Sequence, residues 1–199
     1  LSKLNLSKGV ILMLAEKKHI TYEEFLNLDN SIEELLEYID GVVYYQASPS
    51  RIHQVVAINI ATEFNMFFKN SACKPYIAPF DIILKNEKET YPRKVIPDIS
   101  VICDTTGLND QNYVGVPNLI VEILSPSNEA HDLITKMNLY QNFGVKEYWI
   151  VNPKIRTISI YKLNENGLYE QFAVYKNEEV LEAATFAELK LGLKDIFEF

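Results

Sequence analysis

The spacing of apolar residues changes along the chain, and each change marks an element. Over residues 50–69, Val56, Ile60, Phe64 and Phe67 or Phe68 recur at intervals of three and four, the period of a helix that lays one face on a sheet. A second long helix is expected over about residues 128–143, closed by Gly144 as a left-handed cap. Between these helices lie three extended segments, about residues 76–84, 96–103 and 118–124, separated by turn-rich or charged stretches. Glu147-Tyr148-Trp149-Ile150-Val151 reads as another buried strand, stopped by Asn152-Pro153, and Thr157-Ile158-Ser159-Ile160-Tyr161 alternates as a half-exposed one.

Polar punctuation fills in the ends. Thr21-Tyr22-Glu23-Glu24 and Ser31-Ile32-Glu33-Glu34 each fit the capping box, in which a hydroxyl and a glutamate three residues later satisfy free amides at a helix start, so two short helices are expected there. Asp40-Gly41, set between β-branched and aromatic residues, signals a hairpin. The C-terminal part reads as a further hairpin and a short helix around residues 186–191. The order helix, three strands, helix, strand, strand implies a mixed α/β (α+β) fold, a central sheet with a long helix on each face.

Composition bounds this picture. A chain of 199 residues with 48% hydrophobic and 12% aromatic content fills one core and is short for two. We read residues 1–20 as an N-terminal extension and 21–199 as a single domain. No apolar stretch approaches the roughly 20 residues of a membrane span, and the run Val10-Ile11-Leu12-Met13-Leu14 has no secretory cleavage site after it, so a soluble cytoplasmic protein is expected. Cys73 and Cys103 have no metal-like spacing and read as apolar fill rather than as a disulfide framework. The net charge of −8 argues against a protein that coats DNA through a broad basic surface. It is compatible with a nuclease, whose carboxylates are neutralised when a divalent cation arrives.

The chemistry gathers around Glu122, a carboxylate inside the apolar run Pro117-Asn118-Leu119-Ile120-Val121-Glu122-Ile123-Leu124. A buried carboxylate needs a cation, either a metal or a basic side chain. Asp98, at the entrance of the preceding strand, can share a divalent cation with it if the two project from one face of strands about 4.8 Å apart. Lys136 falls in the helical arc of Leu133, Met137, Leu139, Tyr140 and Phe143, so it points toward the sheet; the alternative is an exposed ion pair with Asp132. His53 contacts a phosphate, acts on a proton, or is an ordinary surface or capping residue at a helix start. Tyr140 is a core aromatic or a substrate contact. Asp81 approaches the metal or ends a strand.

Taken together, Tyr38-Ile39-Asp40-Gly41, Ser48-Pro49-Ser50 with His53-Gln54, Ala78-Pro79-Phe80-Asp81, Pro97-Asp98-Ile99-Ser100-Val101, Val121-Glu122-Ile123-Leu124-Ser125-Pro126-Ser127, Lys136 with Tyr140, and Gly144-Val145-Lys146-Glu147-Tyr148-Trp149-Ile150-Val151 resemble the Uma-type restriction endonucleases, a bacterial family abundant in cyanobacteria. That family is similar to the PD-(D/E)XK nucleases. The resemblance implies a restriction-endonuclease-like αβββαβ core with an N-terminal helical and hairpin extension and a C-terminal hairpin. It also implies a divalent metal, Mg²⁺ or Mn²⁺, and hydrolysis of phosphodiesters.

Asp98 and Glu122 match the two metal carboxylates. The lysine expected two residues after the glutamate is Leu124 here, which nominates Lys136 from the next helix as its replacement. Glu37 matches a further metal neighbour expected on an N-terminal helical segment, while Val42 stands where the family often has a glutamate.

The function expected is therefore a Mg-dependent endodeoxyribonuclease, acting on nucleic acid as DNA, not at a membrane, with a homodimer possible. The catalytic set is Asp98, Glu122, Lys136 and Glu37, with Asp98, Glu122 and Glu37 toward the metal and His53 and Tyr140 toward the substrate. Two other readings stay open: a catalytically inactive nucleic-acid- or protein-binding module on the same fold, and a hydrolase of another phosphoester.

Overall fold

A computed structural model describes residues 19–86, 91–125 and 131–199. The Val10–Leu14 run, Pro126-Ser127 and the expected start of the second long helix lie outside the described residues.

Helix α1 (Tyr22–Asp29) opens on the first capping box: the Glu24 amide donates to Thr21 Oγ1 at 3.2 Å, and the Thr21 amide donates to the Glu24 carboxylate at 2.8 Å. The second box forms no helix. Ser31 Oγ donates instead to Leu28 O at 2.7 Å, closing α1, and the chain runs straight into strand β1 (Leu36–Ile39), whose four residues are all buried. Burial of Leu36, Tyr38 and Ile39 outweighs the local capping signal. As expected, β1 turns into β2 (Val42–Tyr45) over Asp40 and Gly41, both at positive φ, with Ile39 opposite Val42.

Helix α2 (Arg51–Phe67) is capped by Ser50, whose side chain accepts from the His53 amide. The extended stretch over residues 76–84 then departs from expectation. It is two strands in different sheets, β3 (Lys74–Ile77) and β4 (Asp81–Leu84), separated by a cis Ala78–Pro79 peptide. The chain crosses between sheets again before Pro97, from β5 (Arg93–Val95) to β6 (Ile99–Ile102). Proline has no amide to give to a ladder, so both runs break where it stands.

Strands β7 (Asn112–Val114), β8 (Leu119–Ile123), β9 (Glu147–Asn152), β10 (Thr157–Leu163) and β11 (Tyr169–Lys176) follow. They build a six-stranded sheet in the order β11-β10-β9-β8-β6-β3 and a five-stranded sheet in the order β2-β1-β5-β4-β7. Within the larger sheet β8 and β9 run parallel and their other neighbours antiparallel. The order α2-β3-β6-β8-α3-β9 is the expected αβββαβ core, with α3 at Met137–Phe143. The smaller sheet is an addition that the one-sheet expectation lacked.

A short ribbon of β12 (Val180–Glu182) and β13 (Lys190–Gly192) precedes α4 (Leu193–Ile196). The short helix expected around residues 186–191 is therefore displaced, because Leu189 and Leu191 alternate into the core as strand residues do.

Alternation along β8 divides the interior. Leu119, Val121 and Ile123 join the core beneath α2, with Ile60, Phe64 and Trp149. Ile120 joins the opposite core, with Tyr140 and Phe143 of α3. Glu122 has the parity of Ile120, so it too faces α3.

The cysteines correct a further expectation. Continuing the register in which Lys74 faces Ile102 sets Cys73 opposite Cys103, and the two form a disulfide. Only sheet register, which spacing does not reveal, brings them together. Replacing both with serine is expected to lower stability by about 2–4 kcal/mol through the 30-residue loop it opens. Urea denaturation checks this, and an unchanged midpoint would mean that the crosslink constrains nothing.

Candidate active site

The register Ile99↔Val121, extended by one residue, places Asp98 directly opposite Glu122 on neighbouring strands. Directly opposed residues of an antiparallel pair project to one face. Asp98 stands just before β6, and its Oδ2 accepts the Ile123 amide at 2.7 Å. His53, from the first turn of α2, brings Nε2 to 3.2 Å from the same oxygen. A carboxylate can only accept, so a hydrogen bond there requires the proton on Nε2.

Glu122 is 3% exposed, and its Oε1 accepts from Lys136 Nζ at 2.9 Å and from the Tyr140 hydroxyl at 2.7 Å. Lys136 is itself 2% exposed and also lies 3.0 Å from Glu37 Oε1. Lysine 136 thus points to the sheet rather than to water. It ends a π-helical turn, His131–Lys136, that leads into α3. The wider turn shifts the phase of the helix surface: Lys136 turns inward while Leu133, expected in the same arc, is exposed. The side chain of Asp132, the rival partner, lies outside the described residues.

Glu37 arrives by a different route from the one expected. It sits on strand β1, not on a helical segment, yet its carboxylate reaches Lys136 and accepts the Ile96 amide at 2.8 Å. Tyr140, the other residue expected toward the substrate, is fully buried, and its hydroxyl donates to Glu122. Burial, and next the negative charge of Glu122, pushes that phenol well above its usual range and keeps it a proton donor.

Asp81 is not part of this group. It stands 2.9 Å from Lys94 in the smaller sheet, where Lys94 also binds Asp29 and so ties α1 to β5. Of the basic residues Arg51, Lys85, Arg93, Lys94 and Lys154, Lys154 lines the cleft that holds this group; Arg51 is exposed at the start of α2, Arg93 pairs with Asp40, Lys94 is buried in its own cluster, and Lys85 borders a separate cavity.

Glu37, His53, Asp98, Glu122, Leu124 and Lys136 all line one cleft of about 970 Å³, whose walls include Tyr44, Tyr45 and the residues leading into α2. The backbone amides of Ile96 and Ile123, which hold Glu37 and Asp98, were invisible to sequence reasoning because only tertiary register assigns them. Among the described residues no group of three or more His, Cys, Asp or Glu side chains is arranged to hold a metal. The donor set nonetheless suits Mg²⁺, an oxygen-seeking ion commonly bound by one or two carboxylates and otherwise by water and phosphate. Among the described residues no helix is long and apolar enough to cross a membrane.

Residues 22–194 match the family described as Uma2, putative restriction endonuclease. The chain is similar to two uncharacterized proteins of Synechocystis sp. One is 30% identical over 146 residues, spanning 73% of this chain and 75% of that protein. The other is 23% identical over 155 residues, spanning 76% and 85%. A crystal structure described as a putative nuclease from Anabaena variabilis superposes with a TM-score of 0.72 at 21% identity, covering 89% of this chain and 97% of that one. The shared fold is that of this neighbour.

Proposed function

The chain belongs to the Uma2 family of putative restriction endonucleases, and from that premise we propose that it is a divalent-metal-dependent endonuclease hydrolysing phosphodiester bonds in DNA. The observation that carries the reading is the pairing of Asp98 and Glu122 across neighbouring strands, in one cleft with a buried lysine against Glu122. Asp98 and Glu122 would hold Mg²⁺ or Mn²⁺. When bound, such an ion polarises a phosphate oxygen and lowers the pKa of a water.

The remaining roles belong to the chain's own side chains. Lys136 supplies a fixed positive charge for the phosphate and a donor to orient the attacking water. Glu37 tunes the site through that lysine, since its Oε1 is engaged by Lys136 and the Ile96 amide. Tyr140 fixes the Glu122 carboxylate. The donor balance supports a divalent ion: three carboxylates, Glu37, Asp98 and Glu122, share the cleft with Lys136 as the lysine against them.

The test is conversion of supercoiled plasmid to nicked or linear DNA. Cleavage is expected with Mg²⁺ or Mn²⁺ and none in EDTA. Equal cleavage in EDTA, or no cleavage of DNA with either ion, overturns the reading. One observation favours a non-catalytic binding module on the same fold: Leu124 occupies the motif's lysine position in the cleft. DNA binding by a protein with no divalent-cation affinity would mark that module.

A further inference from the structure

We propose that His53 is a positioning residue for the metal-binding carboxylate Asp98, an inference that rests on the reading of the cleft as a metal centre. Three observations lead to it. His53 is 9% exposed although it opens α2, a helix start where most histidines would face water. Its Nε2 lies 3.2 Å from Asp98 Oδ2, the oxygen that also accepts the Ile123 amide. Asp98 Oδ1 makes no hydrogen bond among the described residues, and Asp98 lines the same cleft as Glu122.

The Ile123 amide of β8 donates to Oδ2 and the His53 imidazole of α2 lies 3.2 Å from the same oxygen, so the carboxylate is held from two elements. Oδ1 is left as the oxygen available to a cation in the cleft that Glu122 also lines. Without the imidazole the amide alone holds Oδ2, and the carboxylate can turn about that single bond. Partners that orient a ligand in this way typically contribute 10- to 100-fold in metal affinity. The placement of His53 is itself set by the fold: the Ser50 side chain accepts the His53 amide, which anchors the first turn of α2 at the cleft wall.

The experiment is calorimetric titration of the intact protein with Mn²⁺, with melting temperature as the check on folding. His53→Ala is expected to weaken Mn²⁺ binding 10- to 100-fold while the protein still melts cooperatively. His53→Gln, whose amide nitrogen stands near the place of Nε2 and keeps an N–H for Oδ2, is expected to recover most of that loss. Unchanged affinity in His53→Ala overturns the proposal, as does a His53→Gln protein that binds as weakly as His53→Ala, since the imidazole itself would then be needed. Asp98→Asn separates this inference from the reading beneath it. If Asp98→Asn loses Mn²⁺ binding and His53→Ala does not, only the role of His53 falls. If the unaltered protein binds no Mn²⁺, the metal centre falls and the inference with it.

Discussion

Replacing Glu122 with glutamine is expected to lower DNA cleavage about a thousandfold or more and to remove most divalent-cation affinity, while leaving the protein folded. A metal-binding carboxylate underwrites several kcal/mol of transition-state stabilisation, and each 1.36 kcal/mol is about a factor of ten in rate. Glutamine is the informative replacement because its carbonyl can still accept from Lys136 and Tyr140, which lie 2.9 and 2.7 Å from Glu122 Oε1. Lys136 keeps a charged partner in Glu37 at 3.0 Å, so the buried ammonium is not left uncompensated. Alanine would take away the acceptor of the buried Tyr140 hydroxyl, at a cost of about 1–3 kcal/mol, and one of the two carboxylates at Lys136. A plasmid assay, Mn²⁺ calorimetry and a melting curve on the same preparation separate chemistry from stability. Wild-type cleavage by Glu122→Gln would sink the nuclease assignment at this site.

The same geometry bears on the missing motif lysine. Leu124 lies on the cleft wall but brings no charge, whereas Lys136 reaches the Glu122 carboxylate from the π-helical turn. A lysine two residues along a strand projects to the same face as the glutamate and approaches it from within the sheet. A lysine from the helix packed above approaches from across the layer. Both deliver an ammonium beside the second carboxylate. The helical route also places it within reach of Glu37 on a strand of the other sheet, so that the two sheets and α3 meet at one ion-pair cluster.

How far this was legible follows from where each signal lives. The α2 period, the Asp40-Gly41 turn and the Gly144 cap are local, and each is present in the structure with Gly144 at φ 91°. The demand that Glu122 have a cationic neighbour was also local, since a carboxylate between Val121 and Ile123 cannot be left bare. Three features required the register of distant strands: the split of residues 76–84 between two sheets, the Cys73–Cys103 pairing and the delivery of Glu37 on β1. Ser31 is instructive in another way. Its capping-box pattern is intact, but its hydroxyl closes the preceding helix, because Leu36 and Ile39 bury only if the chain extends.

Glu147 supplies the largest expected stability effect, and nothing in its strand context announced it beyond its being a charge in a buried run. It is fully buried at the start of β9, and its carboxylate accepts four hydrogen bonds: Trp149 Nε1 at 2.6 Å, the Ala184 amide at 2.8 Å, and the Thr185 amide and hydroxyl at 2.7 and 2.5 Å. It therefore pins the loop between β12 and β13 to the central sheet. Glu147→Ala leaves these buried donors without an acceptor and should cost about 4–6 kcal/mol, at about 1–3 kcal/mol per stranded group with some relaxation. Glu147→Gln keeps one accepting oxygen but turns an amide donor toward other donors, and should fall between the two. The chain's single tryptophan, packed edge-on against Phe64, reports the change directly by fluorescence during urea unfolding. Glu147 faces Leu119 at the far end of β8 from Glu122, so cleavage per folded molecule should not change. An unfolding free energy for Glu147→Ala within about 1 kcal/mol of that of the unaltered protein would mean that the loop docks by its apolar residues alone.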